Sequence, residues 1–270
     1  MIHMELNVVY NEDCLEGMNR IEAKSVDMIL CDLPYGTTAC KWDTIIPFEP
    51  LWKQYNRVIK DNGAICLFGN EPFSSYLRMS NIKNYKYDWY WDKVNPGNPL
   101  TAKYHPQKII EQIIVFSKNN NRINYYPIME KILECDKRPP NIFKRKDDGS
   151  QGIRSGVFFH HEGYGEFKYP KNKLTYNNKI NELNSKYRLH PTQKPIKLCE
   201  YLIKTYTNEG DIVLDNCMGS GTTAIACMNT NRNYIGFELD KGYYDIILER
   251  IKNHKPDVIQ ESKQGLETWF

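Results

Sequence analysis

The stretch DIVLDNCMGSGTTAIA at 211–226 reads as a buried strand, a tight turn and a helix. DIVLD is short and nearly all apolar, as in a parallel strand covered on both faces. Gly219 and Gly221 stand where the turn must come close to whatever it faces. The helix beyond them opens with free backbone N–H groups, which suit an anion. The next strand, NYIGFE (233–238), ends on Glu238, 23 residues after Asp215. An acid in that place accepts from two ribose hydroxyls.

The glycine spacing is not G-x-G-x-x-G, and the turn carries no lysine of a phosphate loop. A pyrophosphate ligand, and with it a dehydrogenase, is therefore not indicated. A nucleoside with a small zwitterionic tail fits better, and S-adenosylmethionine (AdoMet) is such a molecule. Taken singly, either glycine serves equally well as a packing device. Strand, turn, helix, strand and acid in register favour the ligand.

Working outward, PIKLCEYLIKTYT (195–207) is an amphipathic helix that Pro195 starts, and 240–253 is another. Ahead of them lies a second block. VDMILCD (26–32) is an apolar strand, 49–60 has helical spacing closed by Asn62-Gly63, and GAICLFG (63–69) is the next strand. A helix near 71–80 and two strands, YKYDWYW (85–91) and IIEQIIVF (109–116), complete it. Two such blocks predict an α/β fold: one mostly parallel, Rossmann-like sheet with helices on both faces.

Asp32-Leu33-Pro34-Tyr35 leaves the end of the 26–32 strand, where open α/β sheets bind ligands. An exocyclic amine on a base is a poor nucleophile, because its lone pair is delocalised into the ring. Acceptors on its two N–H bonds, the Asp32 carboxylate and the Leu33 carbonyl, would free that pair. Pro34 restricts Leu33 to extended conformations and so aims its carbonyl. Tyr35 offers a flat face on which a base can stack. The plainer alternative is an aspartate capping a helix and a tyrosine in the core.

Composition is that of a globular protein of 270 residues, 41% hydrophobic and 26% charged. The net charge is only +3, but 118–188 holds 15 Lys and Arg against 8 Asp and Glu, which leaves the remainder at −4. That segment has weak periodicity, many turn residues and ten aromatics, unlike a disordered linker. It reads as an irregular module, 119–188, inserted between 1–118 and 189–270, and its charge suits a polyanion. His160-His161 lacks partner ligands nearby, and no two of the eight cysteines stand in C-x-x-C spacing, so no metal is expected. Scattered thiols in strand-like runs suggest a reducing cytoplasm. No apolar run reaches the ~18 residues of a membrane span, and the first residues lack a signal-peptide core.

Together the motifs resemble the β-group amino-methyltransferases, which methylate DNA at adenine N6 or cytosine N4. DLPY (32–35) comes first, the basic insert second and DNCMGSGTT (215–223) last. The resemblance extends to YNEDCLEGM (10–18), EQIIVFSK (111–118) and HPTQKP (190–195), and so to nearly all the chain outside 119–187. It implies AdoMet as cofactor, duplex DNA as partner, and 119–188 as the target-recognition region. It implies that Asp32, Leu33, Pro34 and Tyr35 hold and stack the flipped base. It implies that Asp215, Gly219 and Gly221 line the methionine moiety, Glu238 binds the ribose and Asp13 approaches the adenine. Thr192 and Lys194 would meet the cofactor carboxylate, or else be a helix-start threonine and a solvated lysine. Lys93, in WDK (91–93), would touch a phosphate or be solvated.

The family usually has Pro where Leu33 stands; the contact proposed there is a backbone carbonyl. Aspartate at position 32 is the adenine-type signature, with cytosine N4 as the alternative. A silent DNA-binding relative, and a methyltransferase acting on RNA or a protein amide, are the other classes. A homodimer and a cognate restriction endonuclease are left open by the sequence.

Overall fold

The computed structural model describes residues 4–36, 44–96, 102–132, 166–177 and 193–255. These fall into two units, a larger one through 126 and again from 171, and a smaller one represented by 127–132 and 166–170. The expectations for Thr192, for His160-His161 and for most of the basic insert lie outside the described residues.

The larger unit is built on one eight-stranded sheet. Its strands are β1 (Val8–Tyr10), β2 (Val26–Cys31), β3 (Ile59–Gly69), β4 (Tyr85–Asp92), β5 (Ile110–Ser117), β8 (Lys173–Thr175), β9 (Ile212–Asp215) and β10 (Asn233–Phe237). The order across the sheet is β1-β10-β9-β2-β3-β5-β4-β8. All but β5 point the same way, since only its pairings with β3 and β4 are antiparallel. The helices are α1 (Cys14–Met18), α2 (Phe48–Val58), α3 (Phe73–Ser80), α4 (Ile196–Tyr206), α5 (Thr222–Asn229) and α6 (Lys241–Asn253).

Side-chain alternation along the strands sorts the core into two layers. Met28, Leu30, Ala64, Cys66, Ile113, Val115 and Val213 face one way, toward Leu198, Leu202 and Tyr206 of α4, Ala224 of α5 and Ile247 of α6. Ile29, Cys31, Ile65, Leu67, Ile114, Phe116 and Leu214 face the other way, toward α1, α2 and α3. Each helix supplies its stripe: α2 buries Leu51, Trp52, Tyr55 and Val58. Burying one such large apolar side chain contributes about 1.5–3 kcal/mol, and both faces of the sheet are covered in this way. The mostly parallel sheet with helices on both faces is thus present as expected.

Several boundaries differ from the sequence reading. Asn62-Gly63 does not close α2; it lies inside β3, which starts directly at Ile59. Gly63 serves close packing instead, because a Cβ there would stand 2.7 Å from the Asp27 backbone oxygen. The three-residue strand β1 has too little pattern to be read, but it pairs with β10 through Val8, Val9 and Tyr10.

The expected insert also begins and ends differently. Residues 119–126 and 171–177 belong to the larger unit. β8 pairs with β4 and so covers what would be an open edge, with Leu174 buried and the Trp91 indole donating to the Tyr176 carbonyl at 2.8 Å. Tyr125 and Tyr176 pack near Tyr206 and Tyr201 of α4. Tyr176 packs against the core, while Tyr125 stays exposed. The described part of the smaller unit is a two-stranded antiparallel ribbon of β6 (Glu130–Lys131) and β7 (Phe167–Lys168).

Replacing Gly63 with valine should cost about 1–3 kcal/mol by overpacking against β2. Urea denaturation should show a lower midpoint with an unchanged m-value; an unchanged midpoint would contradict the close approach.

Candidate active site

The sheet order reverses between β9 and β2. From β9 the chain proceeds to β10 on one side, and from β2 it proceeds to β3 on the other. Connections that diverge in this way leave a crevice outside the carboxyl ends of the two strands. Asp32 follows β2 and Asp215 ends β9, and Met28 and Ile29 pair with Val213 and Leu214. The two motifs, 183 positions apart in the chain, therefore emerge side by side.

On the β9 side the turn is a cradle. Gly219 and Gly221 adopt positive φ, at 55° and 79°. A Cβ on Gly219 would meet nothing within 4 Å, so the turn there faces open space. At Gly221 it would come within 2.9 Å of Ile247, so glycine is needed for both conformation and room. Gly221 also opens α5 without any side-chain cap, leaving the helix N–H groups to other acceptors. Met218 anchors the turn by packing against the bare Gly236 of β10 and donating its N–H to the Phe237 carbonyl at 2.9 Å.

Two acids flank this cradle. Glu238, just past β10, accepts from the Gly219 N–H at 2.7 Å and the Asp240 N–H at 2.8 Å. Burial pushes its carboxyl up to about 7, against the pull of those two N–H groups. Asp215 accepts from the Cys217 N–H at 3.1 Å, and burial pushes its carboxyl up to about 6. Asp13 stands on the N-terminal side of α1 and caps it, accepting from the N–H groups of Leu15 and Glu16. The chain reaches it from β1, which also meets Glu238: the Glu238 N–H donates to the Tyr10 carbonyl at 3.0 Å.

On the β2 side, Tyr35 donates its hydroxyl to Asp32 Oδ1 at 2.8 Å. Burial and the neighbouring Asp32 carboxylate push the phenol well above its ordinary range, so Tyr35 stays neutral. Its ring stacks on Phe73, with centroids 4.8 Å apart and an interplanar angle of 25°. Leu33 is buried in the core layer with Tyr35 and Phe73 packed around it, which accounts for an aliphatic residue at a place the family usually gives to Pro. Among the described residues the Asp32 carboxylate accepts from side chains, the Tyr35 hydroxyl and the Lys194 ammonium, and caps no helix.

Lys194 is that second donor, and it is not solvated. Its ammonium is buried, lies 2.5 Å from Asp32 Oδ2, and sits 5.2 Å above the Phe68 ring. Burial alone would lower its pKa, but Asp32 and Glu111 outweigh burial and hold it above the ordinary lysine value. Lys93 is likewise buried, donating to Glu111 Oε1 at 2.9 Å; neither a phosphate contact nor a solvated charge describes it. Glu111 was not a candidate from sequence. It starts β5, and because β5 runs against its neighbours, its start lies at the same edge as their ends. The sequence could not reveal that reversal.

Three cysteines meet beneath the crevice. The Asn216 amide lies 3.5 Å from both the Cys14 and the Cys217 sulfur, and Tyr55 of α2 donates to Asn216 Oδ1. Cys31, next to Asp32, is buried in the same layer. Its thiol is pushed up to about 12 by burial, which makes it inert as a nucleophile. Among the described residues no cluster of His, Cys, Asp or Glu is arranged for a metal, and no helix is long and apolar enough to cross a membrane.

Because Glu238 and Asp215 titrate above the ordinary carboxylate range, the native state keeps protons that the unfolded chain releases. Their contribution to stability is present at low pH and is lost as pH rises through about 6 to 7, on the order of 2 kcal/mol for Glu238. The ligand-free protein should melt at progressively lower temperature from about pH 5 to pH 8, and Glu238→Gln should flatten that slope. An equal slope in the variant would contradict the assignment.

Comparison with known proteins agrees with this fold. The DNA methylase family model matches residues 26–249. The type II methyltransferase M.HpaI of Haemophilus parainfluenzae is 27% identical over 251 residues, covering 88% of this chain and 72% of that protein. The DNA adenine methyltransferase YhdJ of Escherichia coli K12 is 27% identical, covering 92% and 83%. Among solved structures, the PvuII cytosine-N4-specific DNA methyltransferase superposes with a TM-score of 0.65 at 18% identity, covering 97% of this chain and 90% of that one. The M1.HpyAVI–SAM complex does so at 0.59 and 24%, covering 90% and 98%. The chain belongs to the DNA methylase family of N6-adenine and N4-cytosine amino-methyltransferases.

Proposed function

We propose that the protein transfers a methyl group to the exocyclic N6 of adenine in duplex DNA, at a base flipped into the crevice between β2 and β9. The observation that carries this is the pairing of an aspartate, Asp32, with a neutral, ring-stacked Tyr35 at the mouth of β2, directly beside the glycine cradle after β9.

The cofactor is AdoMet, which supplies an electrophilic methyl group on a cationic sulfur that leaves with the bonding pair. The residues fit it. Glu238 offers two carboxylate oxygens that would take a pair of ribose hydroxyls, the open Gly219 face admits a close ligand, and Asp215 stands at the turn. The Glu238–Gly219 contact exchanges for ribose hydroxyls when the cofactor binds. Thr192, Lys194 and Asp13 remain further candidates on the cofactor side.

Asp32 and the Leu33 carbonyl accept from the two N–H bonds of the target amine, which restores its lone pair. The same carboxylate stabilises the positive charge that develops on nitrogen, in a site where burial strengthens the interaction. Tyr35 stacks the base on the face opposite Phe73. Stacking of this kind is worth about 1–3 kcal/mol, enough to offset part of the cost of removing the base from the duplex. Holding amine and methyl in line supplies the rest of the rate. The basic segment 119–188 would grip phosphates and read the target sequence, and a cognate endonuclease or a second copy of the chain would be its further partners.

Cytosine N4 is the second reading, because the same acceptors suit either amine. Incubation with AdoMet and unmethylated duplex DNA of mixed sequence, followed by digestion to nucleosides, separates the two. N6-methyladenine is expected. N4-methylcytosine would overturn the base assignment alone, and no methylated nucleoside despite AdoMet binding would overturn DNA as the substrate.

A further inference from the structure

Four charged side chains form a chain at the edge of the crevice, Asp32, Lys194, Glu111 and Lys93, two half-buried acids and two buried bases in alternation. The chain is uneven. Lys194 lies 2.5 Å from Asp32 Oδ2 but 3.8 Å from Glu111 Oε2. Glu111 Oε1 is satisfied by Lys93 at 2.9 Å. Glu111 Oε2 is buried and accepts no hydrogen bond from any described residue. A buried carboxylate oxygen without a donor is costly and calls for an occupant.

Both oxygens of Asp32 are meanwhile engaged, Oδ1 by Tyr35 and Oδ2 by Lys194. In that state the acid that should receive the target amine has a cation on one of its oxygens. An ammonium so placed weakens it as an acceptor and repels the positive charge that builds on the nitrogen. The lysine stem is flexible, and its ammonium carries three donors that can be redistributed over a short distance. Glu111 Oε2 lies within such a movement.

Resting on the function proposed above, we propose that Lys194 is a two-position positioning residue: it holds Asp32 while the crevice lacks a base, and passes to Glu111 Oε2 when the target amine takes Asp32 Oδ2. Glu111 is then the receiving site, and Lys93 holds it in place from the other oxygen. The number of charges in the chain is unchanged by the shift, so no proton need enter or leave. The resting contact also orients the Asp32 carboxylate, next to the buried Leu33.

The test measures methyl transfer from labelled AdoMet, at saturating cofactor, to unmethylated duplex DNA of mixed sequence. It compares wild type, Glu111→Gln, Lys194→Met and the double variant, with AdoMet affinity determined by calorimetry for each. In Glu111→Gln the amide N–H₂ faces Lys194 and closes the receiving site. Its kcat should fall roughly tenfold or more, with AdoMet affinity and the KM for DNA little changed. Removing Lys194 as well releases Asp32, so the double variant should be faster than Glu111→Gln. Glu111→Asp, which keeps the charge but withdraws it, should lie between wild type and Glu111→Gln, and serves if Glu111→Gln fails to fold. A double variant as slow as or slower than Glu111→Gln, or wild-type kcat in both Glu111 variants, would overturn the two-position lysine while leaving the methylation reading intact. A wild type that binds AdoMet but transfers nothing to DNA would overturn the methylation reading, and the lysine role with it.

Discussion

Two backbone pairings, Met28 with Val213 and Ile29 with Leu214, join β2 to β9, and the rest of the site depends on them. They are the only place where the two halves of the sheet meet in the described residues, and they lie where the chain's direction of travel reverses. A register slip of one residue would turn every core side chain of β2 to the wrong face. Here Met28 and Leu30 must enter one layer while Ile29 and Cys31 enter the other. The hydrophobic pattern thus fixes the register, and the register fixes where Asp32 and Asp215 emerge. The chemistry is a consequence of packing several residues away from it.

Along that edge the charges fall in sheet order: Glu238 after β10, Asp215 on β9, Asp32 after β2, Glu111 on β5 and Lys93 after β4. Among the described residues no buried cation pairs with Glu238 or Asp215, and burial pushes their carboxyls up. Glu111, at the far end, lies between two lysines, whose charges outweigh burial and hold its carboxyl below the ordinary range. One row of carboxylates is therefore divided by its neighbours into a half held by backbone N–H groups and a half committed to ion pairs. A buried ion pair is a weak source of stability, because desolvation offsets the attraction. Its presence here, beside the catalytic motif, fits a positioning role better than a scaffolding one.

Much of this was legible in the sequence. Apolar runs such as MILC and IVL announce buried parallel strands, and Gly219 with Gly221 announces a tight turn, which both enter with positive φ. Glu238 and Asp215 were legible because motif spacing is local. What was not legible depends on long-range geometry. β1 is too short to show a period, β8 hides in a polar stretch and is made a strand only by the edge of β4, and the antiparallel sense of β5 is a tertiary choice. From that one hidden reversal follow Glu111, the burial of Lys93 and the true partner of Lys194. Cys14, Cys31 and Cys217 are equally scattered in sequence, each within two residues of Asp13, Asp32 or Asp215, and only the fold brings them together.

The central claim is a division of labour between the two strand ends: β2 carries the chemistry and β9 with β10 carries the cofactor. AdoMet affinity and single-turnover methyl transfer to DNA, measured side by side in Asp32→Ala and Glu238→Ala, test it most directly. Asp32→Ala should bind AdoMet nearly as wild type and lose transfer by roughly a hundredfold or more, while Glu238→Ala should lose cofactor affinity first. Methyl transfer at the wild-type rate in Asp32→Ala, or loss of AdoMet binding there with none in Glu238→Ala, would contradict the account.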